Sequence, residues 1–300
     1  MLGLRRLIGQ RNCSKMTMPV RIPTLNFPRT LLLASSVAFC ASATLTAATP
    51  IPHGTLELIA ENPWIAAGHT VNLGLRFHLE KGWHIYWINP GDSGEPPRVK
   101  WQLPGGLTVG AIEWPAPQRL GKSTVVDYGY EDAVTLIVPL HAEVTTAAQK
   151  TAQVTAQVSV LVCREMCVPG KAQISLTLPV KLQQPTTDVR TEDLFAATRK
   201  SLPRPAPGSW RFSVTPGKDA FVLTANLGRQ ISEATFYPLV ESQIDNAAQQ
   251  RLEPVPTGFH LTLRKSDQLL KAIDHLKGVL ALSAGQAYLI DVPVGNGPTQ

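Results

Sequence analysis

Three hundred residues, 44% hydrophobic and 17% charged, make a folded chain long enough for two compact domains and exclude a disordered one. Twenty-five prolines and 22 glycines without a collagen-like period speak against long helices and for a β-rich chain that turns often. The net charge of +6 does not indicate nucleic acid: Arg5, Arg6, Arg11, Lys15, Arg21 and Arg29 precede every acidic residue, and without those six the remainder balances at 22 basic against 22 acidic groups.

The basic stretch ends at Arg29 and is followed by a Leu-, Ala-, Val- and Ser-rich run from Leu31 to Thr49 containing Ala41-Ser42-Ala43, an A-x-A cleavage pattern. Residues 1–48 therefore read as a secretory signal peptide, which places the mature protein outside the cytoplasm. No later stretch reaches the roughly 20 apolar residues of a spanning helix. Cys13 and Cys40 lie in the leader, so the mature chain keeps only Cys163 and Cys167. In an oxidising compartment such a pair is expected to be cross-linked wherever its geometry allows.

Downstream, Val71, Leu73, Leu75, Phe77 and Leu79 alternate on one face of a strand, and Trp83 to Ile88 forms an aromatic strand candidate. Asn89 to Pro97 is turn-rich and is expected to be an extended loop. Val134–Leu140, Val154–Val162 and Ala172–Val180 complete a pattern of short strands that predicts an antiparallel sandwich over 51–182. A linker over 183–208 holds a short helix from Thr191 to Ser201, capped by Thr191 and ended by Pro203, Pro205 and Pro207. A second, smaller β-rich module follows over 209–294, with strands at 210–215, 220–225, 234–237, 260–263, 279–283 and 287–292. Within it Ser266 caps an expected helix whose Leu269, Leu270, Ile273 and Leu276 share one face before Gly278.

Two constellations bear on chemistry. Gly91-Asp92-Ser93-Gly94 looks like the nucleophile segment of chymotrypsin-like proteases. However, no separate Asp precedes Ser93 to orient a histidine, so the segment is read as a turn. Cys163-Arg164-Glu165-Met166-Cys167 is different. On one continuous strand its cysteines would lie roughly 13 Å apart, too far to bond. A three-residue hairpin loop instead makes them cross-strand neighbours at roughly 4.5 to 5.5 Å. A ring that small stabilises by about 2 to 3 kcal/mol at most, which a full sandwich core hardly needs. The spacing alone leaves open an exchanging dithiol, a structural staple, or a Cu(I) site made with Met166. Trp64, Trp83, Trp87, Trp101 and Trp114, with Tyr86, Tyr128 and Tyr130, are expected mostly in the core, a few of them covering the cysteines or forming a docking face. His84 reads as a packed or half-exposed strand residue rather than a ligand.

Several motifs in order carry a resemblance. They are Gly82-Trp83-His84-Ile85-Tyr86-Trp87-Ile88-Asn89-Pro90-Gly91-Asp92-Ser93-Gly94 with Pro96-Pro97, Ile112-Glu113-Trp114-Pro115-Ala116-Pro117, Tyr128-Gly129-Tyr130-Glu131, and Leu161-Val162-Cys163 through Cys167-Val168-Pro169. Over residues 55–182 the chain resembles the N-terminal periplasmic domain of the thiol:disulfide interchange protein DsbD, in the form found in suppressor-of-copper-sensitivity B proteins associated with copper tolerance.

The resemblance implies an immunoglobulin-like sandwich whose cysteines take electrons from a thioredoxin-like donor and pass them to oxidised periplasmic proteins without a cofactor or metal. It makes Cys167 the attacking cysteine and Cys163 its resolving partner. Tyr86, Trp87, Tyr128, Tyr130 and Glu131 become candidates for a cap or docking surface. Full-length relatives continue into a membrane domain and a terminal thioredoxin-like domain, which this sequence lacks up to Gln300. A separate membrane reductase is therefore the expected partner, the alternative being a non-enzymatic interaction or Cu(I)-binding module with a structural bridge.

Overall fold

The computed structural model describes residues 48–121, 124–184 and 188–295; the expected leader lies outside them. The chain is mainly β, as the alternating pattern predicts. Its first sheet has five strands in the order Thr49–Ile51, Gly54–Ala60, Thr70–Leu79, Ala133–Ala142 and Leu107–Val109. Val71, Leu73, Leu75 and Phe77 point inward from the third strand named, which is the face their spacing assigns them.

The opposing sheet has seven strands and is organised around one long hairpin. Thr151–Cys163 pairs with Cys167–Lys181 without interruption from Thr151 opposite Pro179 to Cys163 opposite Cys167. Along the return strand Ala172, Ile174, Leu176 and Leu178 are buried, while Lys171, Gln173, Ser175 and Thr177 are exposed. That strict period of two locks the register, because a slip of one residue would turn the apolar set into water. The outgoing strand pairs on its other edge with Arg98–Gln102 and, at its end, with His84. From His84 the sheet continues through His84–Gly91, Asp127–Glu131 and Gln118–Leu120. The segment expected as a loop from Asn89 thus stays in strand conformation as far as Gly91 before turning.

One helix, Val189–Ser201, lies on the outside of the first sheet and packs Phe195 against Ile59 and Ile137. Gly74 makes room for it: a Cβ there would sit 3.1 Å from the Phe195 ring. The helix starts earlier than its sequence suggests. Asp188, not Thr191, is the cap and accepts from the Arg190 amide, while the Thr191 hydroxyl donates to the Glu61 carbonyl.

Residues from Arg204 onward form two four-stranded sheets. One runs in the order Arg204–Pro205, Gln286–Pro293, His275–Leu282 and Ala234–Pro238, and the other Arg211–Pro216, Ala220–Asn226, Gly258–Arg264 and Arg251–Val255. Phe221, Leu223, Phe236, Phe259, Leu261 and Leu280 fill the core between them. The helix expected after Ser266 does not form. Ser266 caps a single turn, accepting from the Gln268 amide, and His275 then opens a strand in which Leu276 pairs with Val292. The helical spacing was coincidental: Leu276 is buried from the strand, whereas Leu270 is 90% exposed. Leu269 and Ile273 still pack against the second core from an irregular segment, and pairing along a whole strand outweighs the short amphipathic pattern.

The C-terminal sheets meet the first sandwich along a seam. Tyr237, Val279 and Ala287 join its core cluster, with the Tyr237 ring 5.3 Å from Tyr128 and 6.4 Å from Trp87 in edge-to-face contacts. Polar groups in the seam are matched, apart from the buried Trp87 Nε1. Asn89 donates to the Pro238 carbonyl at 2.7 Å, Tyr128 donates to Asn246 Oδ1 at 3.0 Å, and Asn246 donates to Asp92 Oδ1 at 2.8 Å. Arg119 reaches the carbonyls of Asn246 and Ala247.

Candidate redox site

Cys163 and Cys167 close a disulfide at the tip of the long hairpin, their Cα atoms 4.1 Å apart. Arg164, Glu165 and Met166 form the exposed turn, which the Arg164 amide closes by donating to the Met166 carbonyl. The two cysteines are not equivalent in access, since Cys163 is 3% exposed whereas Cys167 is an exposed residue. Of the two residues, Cys167 is the more accessible from solvent. The tip is braced from below: Trp83 stacks on His53 at 3.5 Å on one side and carries the Arg164 guanidinium 5.0 Å from its ring centre.

The walls of the site follow from strand parity. His84 lies directly opposite Cys163, and Tyr86, two residues on, faces the same way. The Tyr86 hydroxyl comes to 3.4 Å from Cys167 Sγ. The backbone of the Gly91–Gly94 turn lies against the other side of the Tyr86 ring: a Cβ on Gly94 would sit 2.1 Å from it, and Gly94 has a φ of +78° that favours glycine. This turn is held in place by Asp127, whose Oδ1 accepts from both the amide and the hydroxyl of Ser93, and by Asp92, whose Oδ2 accepts from the Val126 amide. The protease-like quartet is thus the shelf behind Tyr86, with its serine tied to a structural carboxylate.

Among the aromatic cap candidates, only Tyr86 reaches the cysteines. Trp87 points to the opposite side of the sheet and is 1% exposed. Tyr128 and Tyr130 are also buried, their hydroxyls bonded to Asn246 and the Pro115 carbonyl. On that strand the alternate residues face the site: Gly129 lies opposite Tyr86, and exposed Glu131 lies opposite His84. Two residues absent from the sequence-based candidates complete the cluster. His84 is 7% exposed, and its Nε2 is buried without a hydrogen-bond partner, 4.0 Å from Asp127 Oδ2. The same period-two reading that linked Val71 to Phe77 would have placed His84 with Tyr86, and Asp127 with Gly129.

Burial pushes the His84 imidazole below its ordinary 6.5, against a weaker upward pull from Asp127 and Glu131. Burial raises the Asp127 carboxyl above 3.8, opposed by the two Ser93 hydrogen bonds. It also raises the Tyr86 phenol, which therefore stays a neutral hydroxyl beside the sulfur at neutral pH. Among the described residues, no three His, Cys, Asp or Glu side chains are grouped to hold a metal ion, and no helix is long and apolar enough to cross a membrane.

Comparison with known proteins agrees with this arrangement. The crystal structure of the N-terminal periplasmic domain of ScsB from Proteus mirabilis matches with a TM-score of 0.64 at 16% identity, covering 84% of this chain and 98% of that one; at such identity the likeness is one of fold. Comparison with curated proteins finds no match. Residues 57–179 match the model of the family described as thiol:disulfide interchange protein DsbD, N-terminal.

Proposed function

We propose that residues 51–182 form a periplasmic thiol-disulfide exchange module, delivered by a cleaved leader, with residues 209–294 as a second module buttressing it. Its Cys163–Cys167 pair accepts two electrons from a thioredoxin-like donor served by a membrane reductase and passes them to oxidised periplasmic proteins. In the reduced state the Cys167 thiolate attacks a client disulfide, forming a mixed disulfide and releasing one client thiolate. Cys163 then attacks Cys167 Sγ, the internal disulfide reforms, and the second client thiolate leaves. The client gains two electrons and two protons, and a donor dithiol restores the pair by the reverse steps. No bound cofactor takes part.

The observation that carries this reading is the asymmetry of the bond, with Cys167 exposed on a hairpin tip and Cys163 enclosed behind it. Exposed bridges of small rings are the labile ones, and this ring spans a sequence separation of four. Cys163→Ser is expected to accumulate mixed disulfides with partner proteins, and Cys167→Ser to form none and lose exchange. Exchange retained by Cys167→Ser overturns the proposal. So does a bridge that stays oxidised at about −300 mV, beyond the reach of thioredoxin at about −270 mV, which would make it a structural staple.

A further inference from the structure

The buried His84 takes no part in the exchange steps above, and its surroundings are those of a proton acceptor. We propose that His84, which faces the Asp127 carboxylate, takes the proton from the Cys163 thiol when Cys163 resolves the mixed disulfide. This rests on the exchange reading above and concerns only its second half.

Cys163 is enclosed, and a thiol in such a place becomes a nucleophile only if a nearby group removes its proton. Its cross-strand neighbour is His84, and directly paired residues hold their Cβ atoms roughly 4.5 to 5.5 Å apart on one face of the sheet. The groups facing His84 are few: Cys163 from the hairpin, Asp127 and Glu131 from the adjoining strand, and the Tyr86 ring from its own strand, 5.2 Å away and edge-on. None of them hydrogen-bonds Nε2, an orphaned buried polar atom that a folded protein ordinarily pairs. Ser93 occupies Asp127 Oδ1 and leaves Oδ2 facing the imidazole, where a carboxylate stabilises the imidazolium once it forms.

The step balances. The Cys163 S–H proton passes to the His84 imidazole, and the sulfur electron pair forms the bond to Cys167 Sγ. The client sulfur departs as a thiolate, and the imidazolium later returns its proton to solvent or to that thiolate. Burial of the imidazole keeps it neutral, and so able to accept, at neutral pH.

The test uses the reduced protein mixed with one equivalent of dithiobis-nitrobenzoate, whose two chromophoric thiolates report the halves separately. The first is released when Cys167 attacks and the second when Cys163 resolves. His84→Gln should leave the first phase within about twofold and slow the second at least tenfold at pH 7, within the usual range for loss of a general base. The second phase should then climb with pH as the bare thiol ionises. Asp127→Asn, which retains the imidazole, should move the acid limb of the second phase to lower pH.

A second phase unchanged in His84→Gln, or both phases slowed alike, overturns the role of His84. A wild-type protein whose first phase is absent instead defeats the exchange reading, so the two failures are distinguishable.

Discussion

The strand His84–Gly91 serves two surfaces that treat polar groups in opposite ways. On the seam side, Asn89, Tyr128, Asp92, Asn246 and Arg119 are matched donor to acceptor across more than a hundred residues of sequence, the buried Trp87 Nε1 being the exception. On the disulfide side the groups are left available: His84 Nε2 has no partner, the Tyr86 hydroxyl lies 3.4 Å from a sulfur, and Cys167 is open to water. A saturated buried network fixes one arrangement of its neighbours, whereas an unsatisfied one is retained where chemistry will use it. On the exchange reading proposed above, the seam is the fixed scaffold and the disulfide face the part that changes its bonding.

Removing the indole at the centre of the seam should have the largest effect. Trp87→Ala empties a fully buried indole between Tyr128 and Tyr237 and should cost about 3 to 5 kcal/mol of stability by denaturant unfolding. Because Trp87 faces away from the disulfide, the loss should be the same in oxidised and reduced protein. A loss that depends on the redox state would mean that the two surfaces are coupled.

On the other surface, Gly94→Ala drives a methyl group into the Tyr86 ring from a backbone conformation that disfavours a side chain. The expected cost is smaller, about 1 to 3 kcal/mol, because the turn can lift. Lifting it moves the Tyr86 hydroxyl off Cys167, so this variant should also be reduced faster by a small dithiol. An unchanged rate of reduction would show that the shelf does not govern access.

The two surfaces were unequally legible in the sequence. The hairpin could be read because two distances compete, one too long for a disulfide and one within reach, and the alternation of Ala172 to Leu178 had already fixed which face was inside. Tyr86, Trp87, Tyr128, Tyr130 and Glu131 enter as one group of cap or docking candidates, and it takes strand parity to separate Tyr86 from the buried Trp87, Tyr128 and Tyr130. The seam was out of reach. Tyr128 meets Asn246 across 118 positions, and nothing local in either segment anticipates that contact. The expected helix after Ser266 failed for the same reason, since the partner that makes Leu276 a strand residue is Val292.

The smallest effect concerns proton linkage at the disulfide face. His84 is lowered from 6.5 in the folded protein, so the unfolded chain binds the proton more readily, and this residue costs stability as pH falls from about 6.5 toward the folded value. Above that window the cost vanishes. Asp127 works in the opposite sense: raised from 3.8, it favours the fold while protonated, and that contribution is lost as pH rises from about 3.8 through its folded value. In oxidised His84→Gln the first contribution is gone. Protonated His84 also pulls the Asp127 carboxyl down, so its removal leaves that group higher still and favours the fold further in acid. Both changes have one sign. Relative to wild type, the variant should therefore gain stability between pH 8 and pH 5 in denaturant midpoints, and parallel pH curves would show that His84 is not held neutral by its burial.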